Sequence, residues 1–223
     1  EAVELEKQAL HYDLHLLKAA VKHLGTEKNL KILSNIAEDL SKKIDLLCNM
    51  EVEHILNRED GKYELSILNA ENILCTYLIV APGRSGAEWF SSECKNMGIN
   101  LINNQVDIGV RVELPAAVFE HITDVVYEAK LVYRTKQYGD SVRTFCMNPY
   151  GHVVTENVDG IITVNGHSYS DASLRSENTN FALLVSNRFT QPFNEPYQYG
   201  KRIASLSNML GGGVIVQRFG DLV

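Results

Sequence analysis

The stretch Ile73-Leu74-Cys75-Thr76-Tyr77-Leu78-Ile79-Val80-Ala81-Pro82-Gly83-Arg84-Ser85-Gly86 decides how the chain is read. Its first eight residues are almost unbroken in apolar character, the pattern of a strand buried on both faces of a parallel sheet. Gly83 and Gly86 then permit a sharp turn, and Phe90, Cys94 and Met97 mark one face of a helix beyond it. A strand that turns into a helix at its carboxyl end presents backbone groups and a helix N-terminus to a ligand, and both favour an anion. The bland alternative is a strand-to-helix turn that binds nothing. A nucleophile elbow needs G-x-S-x-G, whereas the residues from Gly83 run Gly-Arg-Ser-Gly-Ala, so Ser85 does not make the chain a serine hydrolase.

Upstream of this stretch, Leu10, Leu14, Leu17, Val21 and Leu24 recur at helical spacing, with Gly25 suited to end the helix and Thr26 to cap the next. Leu30, Leu33, Ile36 and Leu40 predict the buried stripe of that second helix. Residues 44–48 and 52–57 read as strands. Asp60-Gly61 predicts a type I′ hairpin, whose returning strand turns Tyr63, Leu65 and Ile67 inward.

Downstream the texture changes. Val106, Ile108, Val110 and Val112 alternate with Asp107, Gly109, Arg111 and Glu113, predicting a half-exposed strand with all four apolar residues on one face. Short strand-like runs follow at 131–135, 142–147, 161–164 and 181–186. A helix over 195–210 ends at Gly211-Gly212-Gly213, before a strand at 214–218. The shift near residue 103 predicts a boundary. The expected fold is mixed α/β (α+β): residues 1–102 a partial Rossmann-like domain, 103–190 a mostly antiparallel β domain, and 191–223 a helix and strand returning towards the first.

The 223 residues carry a formal net charge of -7, which argues against a nucleic-acid groove lined with Lys and Arg. No apolar run approaches the ~20 residues of a membrane span. Cys48, Cys75, Cys94 and Cys146 form no C-x-x-C pair and each sits in apolar surroundings, predicting reduced thiols and a cytoplasmic setting. Cys146 is either a redox thiol or a small buried hydrophobe. Arg111, Arg134 and Arg143 recur on neighbouring strands and are candidates to line an anionic-substrate pocket, or else are exposed sheet charges. His11 and His15 are spaced i,i+4, but a solvated helix face fits them better than a zinc site, and no metal is expected. The chain lacks G-x-G-x-x-G, so it does not hold a dinucleotide pyrophosphate in the usual way.

Several stretches, in order, resemble the uncharacterised FAD-dependent, or NAD(FAD)-utilising, dehydrogenases. His23-Leu24-Gly25-Thr26-Glu27 is similar to that family's His-x-Gly-Thr-Asp, and Ala81-Pro82-Gly83-Arg84-Ser85 to its Ala-Thr-Gly-His-Ser. Also similar are Val110-Arg111-Val112-Glu113-x-Pro115, Phe145-Cys146-Met147-Asn148-Pro149-x-Gly151 and Val164-Asn165-Gly166-x-Ser168. Asn178-x-Asn180-x-Ala182-Leu183-Leu184-Val185-Ser186 and Val216-Gln217-Arg218-x-Gly220-Asp221 complete the series.

The resemblance implies an internal piece of a flavin-dependent oxidoreductase acting on a small-molecule substrate. FAD would be bound by the whole protein rather than by this piece, with NAD(P)H as a candidate reductant. The opening at Glu1 without Met, and the stop soon after Gly220-Asp221, fit a chain cut from something longer. Ala81, Pro82 and Gly83 carry over as FAD neighbours, although Pro82, where the family has Thr, offers neither hydroxyl nor backbone donor. No catalytic residue is transferred. Apolar residues such as Ile44, Leu46 and Leu78 are then expected to be exposed, covered by a second copy in a homodimer, or crossed by a rearranged N-terminal helix. The competing class is a non-catalytic binding domain of flavoprotein descent.

Overall fold

A computed structural model describes residues 1–19 and 24–222, with only the backbone of residue 222 included. By Cα packing the chain divides into two compact units, Glu1–Ser34 with Asn103–Val223, and Asn35–Ile102. Every strand pair among the described residues is antiparallel, and the class is mixed α+β.

The larger unit is built on a five-stranded sheet in the order β1-β6-β7-β10-β5, formed by β1 (Leu14–Leu16), β5 (Val106–Pro115), β6 (Leu131–Arg134), β7 (Ser141–Asn148) and β10 (Asn178–Asn187). Its longest pairing is the ten-residue ladder of β10 on the edge strand β5, running without a shift from Asn178↔Pro115 to Asn187↔Val106. Unbroken pairing keeps Val106, Ile108, Val110 and Val112 on one face, because a strand's side chains alternate with a period of two. Val112 packs into the core of Ala129, Met147 and Phe181. Phe119 and Ile122 of α4 (Ala116–Thr123) close that core, with the Phe119 and Phe181 rings 5.2 Å apart. At the other end of β5, Val106 and Ile108 lie against Gly200 of α5 (Pro196–Gly211). Val110, between these two contacts along the strand, is exposed.

The opposite face of the sheet carries the hairpin of β8 (His152–Val158) and β9 (Ile161–His167). Its two-residue turn, Asp159-Gly160, has φ of 53° and 81°, the type I′ geometry that matches strand twist. α5 ends as expected at a glycine, Gly212, in the left-handed conformation at φ 63°.

The N-terminal helical stripe does not persist. α1 (Ala2–Leu10) stops at a turn in which Asp13 has φ 58°, and the chain then pairs as β1 with β6 (Leu14↔Tyr133, Leu16↔Leu131). Leu16 is thereby drawn into the core, a tertiary gain that outweighs local periodicity. Val21 lies outside the described residues. The expected strand at 214–218 is irregular and leads into a 3-10 turn at Phe219–Leu222.

The smaller unit is a three-stranded meander, β2 (Val52–Asn57), β3 (Tyr63–Ile67) and β4 (Ile73–Cys75), followed by α3 (Ala87–Asn96). The hairpin forms where Asp60-Gly61 predicted it, with a different turn. Only Gly61 has positive φ, the Gly61 amide donates to Arg58 O, and the Arg58 amide donates to Lys62 O. This is a type I turn closed by a glycine bulge, which a three-residue loop favours. Glu93 of α3 is buried and accepts from the Ile55 amide at 2.7 Å, tying the helix to β2.

The interior strand expected at 73–80 is not formed. β4 ends at Cys75, pairs on one side only, and leaves Tyr77 90% and Ile79 93% exposed. An apolar run becomes a buried strand only where neighbours cover both its faces, and these are lacking here. The strand expected at 44–48 is likewise turn and coil, with Ile44 and Leu46 exposed and Leu78 half-buried. α2 (Thr26–Ser41) forms as predicted, but its Leu30, Leu33, Ile36 and Leu40 stripe is exposed rather than buried.

Candidate functional site

On the hairpin-bearing face of the five-stranded sheet, β5 and β10 set Arg111 beside Asn180. Arg111 donates to Asn180 Oδ1 through Nε at 2.9 Å and Nη2 at 2.6 Å. β7 contributes through a bulge. Asn180 pairs with Asn148 and Ala182 with Phe145, so β7 carries one residue more than β10 across this step. Cys146 takes up the excess at φ 48°, a left-handed conformation uncommon for a side-chain-bearing residue. Its carbonyl thereby accepts from Arg111 Nη2 at 2.7 Å and Asn148 Nδ2 at 2.8 Å, while its amide donates to Glu128 Oε1 at 3.1 Å.

Gly166 of β9 closes the cluster from above. A Cβ there would collide with Arg111 Nη2, Asn148 Nδ2 and Asn180 Oδ1. Asn180 and Asn148 are buried, and among the described residues Asn180 Nδ2 has no hydrogen-bond partner. Among the described residues no carboxylate pairs with Arg111. Burial draws its pKa down, and the neighbouring Cys146 opposes that shift.

The three arginines singled out in the sequence are therefore not one pocket. Arg143 is neutralised by Asp107, with Nη2 at 2.5 Å from Oδ2, and Asp107 also accepts from Ser186 Oγ at 2.6 Å. Arg134 is exposed on β6. The Cys146 thiol is half-buried, 3.7 Å from Asn148 Nδ2 and 3.9 Å from Asn165 Oδ1, and these amide contacts give it no proton acceptor of the kind a nucleophilic cysteine uses. Of the other cysteines, Cys94 is buried and Cys48 is exposed; all four are free. His11 and His15 share no helix, since His11 follows α1 and donates from Nδ1 to Lys7 O at 2.8 Å, and His15 lies in β1.

A second layer surrounds the cluster. The Thr26 amide donates to Ser168 O at 2.9 Å, and the Ser170 amide and hydroxyl donate to Glu27 Oε1, the amide at 2.9 Å. The Ser170 hydroxyl is the main reason the Glu27 carboxyl sits below its ordinary pKa. Gly25 is buried between them, where a Cβ would strike the Glu27 carboxylate and the Ser170 amide. His23 lies outside the described residues. Beside this layer opens a cavity of about 300 Å³, walled by Tyr127, Tyr150 and Tyr169 with Arg175 and Asp124. Burial raises the Tyr127 phenol above its usual pKa, so its hydroxyl stays protonated near neutrality. A second cavity, about 150 Å³ and largely apolar, lies between α1, β1 and α4.

Ala81, Pro82 and Gly83 lie in an exposed turn before α3, with Gly83 at φ 69°. β4 has ended six residues earlier, so the turn does not follow the carboxyl end of a buried parallel strand. Without G-x-G-x-x-G beside it, this turn does not by itself supply the amides that hold a pyrophosphate.

Of the polar cluster, composition and spacing mark only Arg111 and Cys146, because its members come from four separate strands. Residues of four stretches named above, those containing Arg111, Asn148, Gly166 and Asn180, meet here, and the stretch containing Gly25 adjoins them through the Thr26–Ser168 backbone hydrogen bond.

No protein-family model matches the chain. It is 27% identical over 218 residues to an uncharacterised protein of Clostridium beijerinckii, a match covering 90% of this chain. The chain spans 40% of that relative's length. Among the described residues, no helix is long and apolar enough to cross a membrane.

Proposed function

We propose that this chain is the substrate-side portion of a cytoplasmic flavin-dependent oxidoreductase, in which FAD carries electrons to or from a small molecule and NAD(P)H is a candidate reductant. The observation that carries this reading is convergence. Stretches of the resemblance far apart in sequence pack into one cluster around Arg111, Asn148, Gly166 and Asn180.

Exposed apolar side chains within the smaller unit, Ile44, Leu46, Tyr77 and Ile79 among them, support the further reading that this portion works with additional protein around it. In this reading the phosphate-gripping loop lies elsewhere in the longer polypeptide, and Ala81, Pro82 and Gly83 approach the flavin only in that setting. Covering of the apolar face by a second copy of the chain is the alternative.

The test is purification of the protein with its flanking sequence. A yellow product with the visible absorption of oxidised flavin, bleached by NADH or NADPH, is expected. A colourless, folded product that takes up no FAD would leave a non-catalytic binding domain as the better reading.

A further inference from the structure

The cavity bounded by Tyr127, Tyr150 and Tyr169 holds two opposite charges that do not meet. Arg175 and Asp124 both line it, yet among the described residues neither is in an ion pair with the other or with any third group. Opposite charges brought to one small cavity gain by pairing, and where the fold holds them apart each remains available to a ligand. The guanidinium of Arg175 is placed over the ring of Tyr150, 5.8 Å from its centroid. A second acid lies beside the cavity lining. Glu27 Oε2 is buried, finds no hydrogen-bond partner among the described residues, and lies against Gly25, which also lines the cavity.

The three aromatic walls are fixed. The Tyr150 hydroxyl donates to Glu120 Oε1 at 2.8 Å, Tyr127 is hydrogen-bonded to Ser168, and Tyr169 stands edge-on to His152 at 5.8 Å between centroids. Tyr150 itself sits at φ 52°, a left-handed conformation that costs free energy for an aromatic residue. Rings held this way lose little entropy when a planar group slides between them. A volume of about 300 Å³ lies at the small end of ligand pockets and accommodates one ring with a short polar arm.

We propose that this cavity binds a free aromatic α-amino acid, or a close zwitterionic analogue, with its ring among the three tyrosines, its carboxylate on Arg175 and its ammonium on Asp124. The site is built within the larger unit and the assay contains no flavin. Failure here therefore leaves the flavin reading intact, and a colourless full-length protein leaves this proposal standing.

The test titrates the 223-residue chain with L-phenylalanine, 3-phenylpropionate and 2-phenylethylamine, following amide and tyrosine-ring shifts by NMR. Phenylalanine is expected to saturate, and each single-charge analogue to bind about tenfold more weakly, the worth of one charge-assisted contact. Arg175→Gln is expected to erase the preference for phenylalanine over phenylethylamine. Asp124→Asn is expected to erase the preference over phenylpropionate. Both residues are exposed, so the variants should keep the wild-type spectrum. Absence of saturable phenylalanine shifts up to about 10 mM, any other order of affinities, or variants that discriminate as the parent does, overturns the proposal.

Discussion

Arg111 holds the side-chain oxygen of Asn180 in a two-pronged grip, Nε at 2.9 Å and Nη2 at 2.6 Å, and among the described residues no carboxylate pairs with Arg111. Asn180 is fully buried. Truncation to Asn180→Ala removes the acceptor from a half-buried cation and leaves a void. A loss of about 2–4 kcal/mol is expected in urea unfolding of the larger unit, followed by tyrosine signals. Arg111→Lys should cost nearly as much, since an ammonium does not reproduce the fork. A lysine variant as stable as the parent would show that the two-pronged geometry is immaterial.

Gly166 and Gly160 lie on one hairpin and are needed for different reasons. Gly166→Ala drives a methyl into Arg111, Asn148 and Asn180 and should destabilise by about 1–3 kcal/mol while shifting the amide signals of Asn148 and Asn180.

Gly160→Ala meets empty space but forces alanine to φ 81°. The expected cost is about 1–2 kcal/mol, with the Asn148 and Asn180 signals unmoved. The two variants thus separate steric from conformational demand, and identical spectral footprints would contradict that separation.

In the smaller unit, burial on its own pushes the Glu93 carboxyl up. The Ile55 amide, His54 at 3.2 Å and Asn96 outweigh it and hold the pKa below the usual carboxylate value. A depressed carboxyl stabilises the fold above its unfolded pKa, near 4.3, and that stability is lost as pH falls through the folded value. Unfolding followed through Trp89, whose Nε1 donates to Glu53 O in the same unit, should therefore show stability falling below about pH 4.5. Glu93→Gln should flatten that slope. An unchanged acid limb in the variant would assign the dependence to other carboxylates.

Several features of this chain were decided by residue pattern alone. The alternation of Val106, Ile108, Val110 and Val112 specified one face and hence the register with β10. Asp60-Gly61 marked a hairpin and Gly212 a helix end, because backbone φ preferences act over two or three residues and need no distant partner. Tertiary structure decided the rest. The apolar run at 73–80 is a buried strand only with neighbours on both sides, and β4 has one. Leu14 and Leu17 fit a helical stripe until β6 offers residues 14–16 a ladder. The two-turn helix α4 is too short to declare a period. Most of all, Arg111, Cys146, Asn148, Gly166 and Asn180 are neighbours only after β5, β10 and β7 pair, the β8–β9 hairpin packs over them and a bulge redirects one carbonyl. Local propensity is written residue by residue, whereas a site is a set of distances between residues remote in sequence, and only the packed sheet sets those.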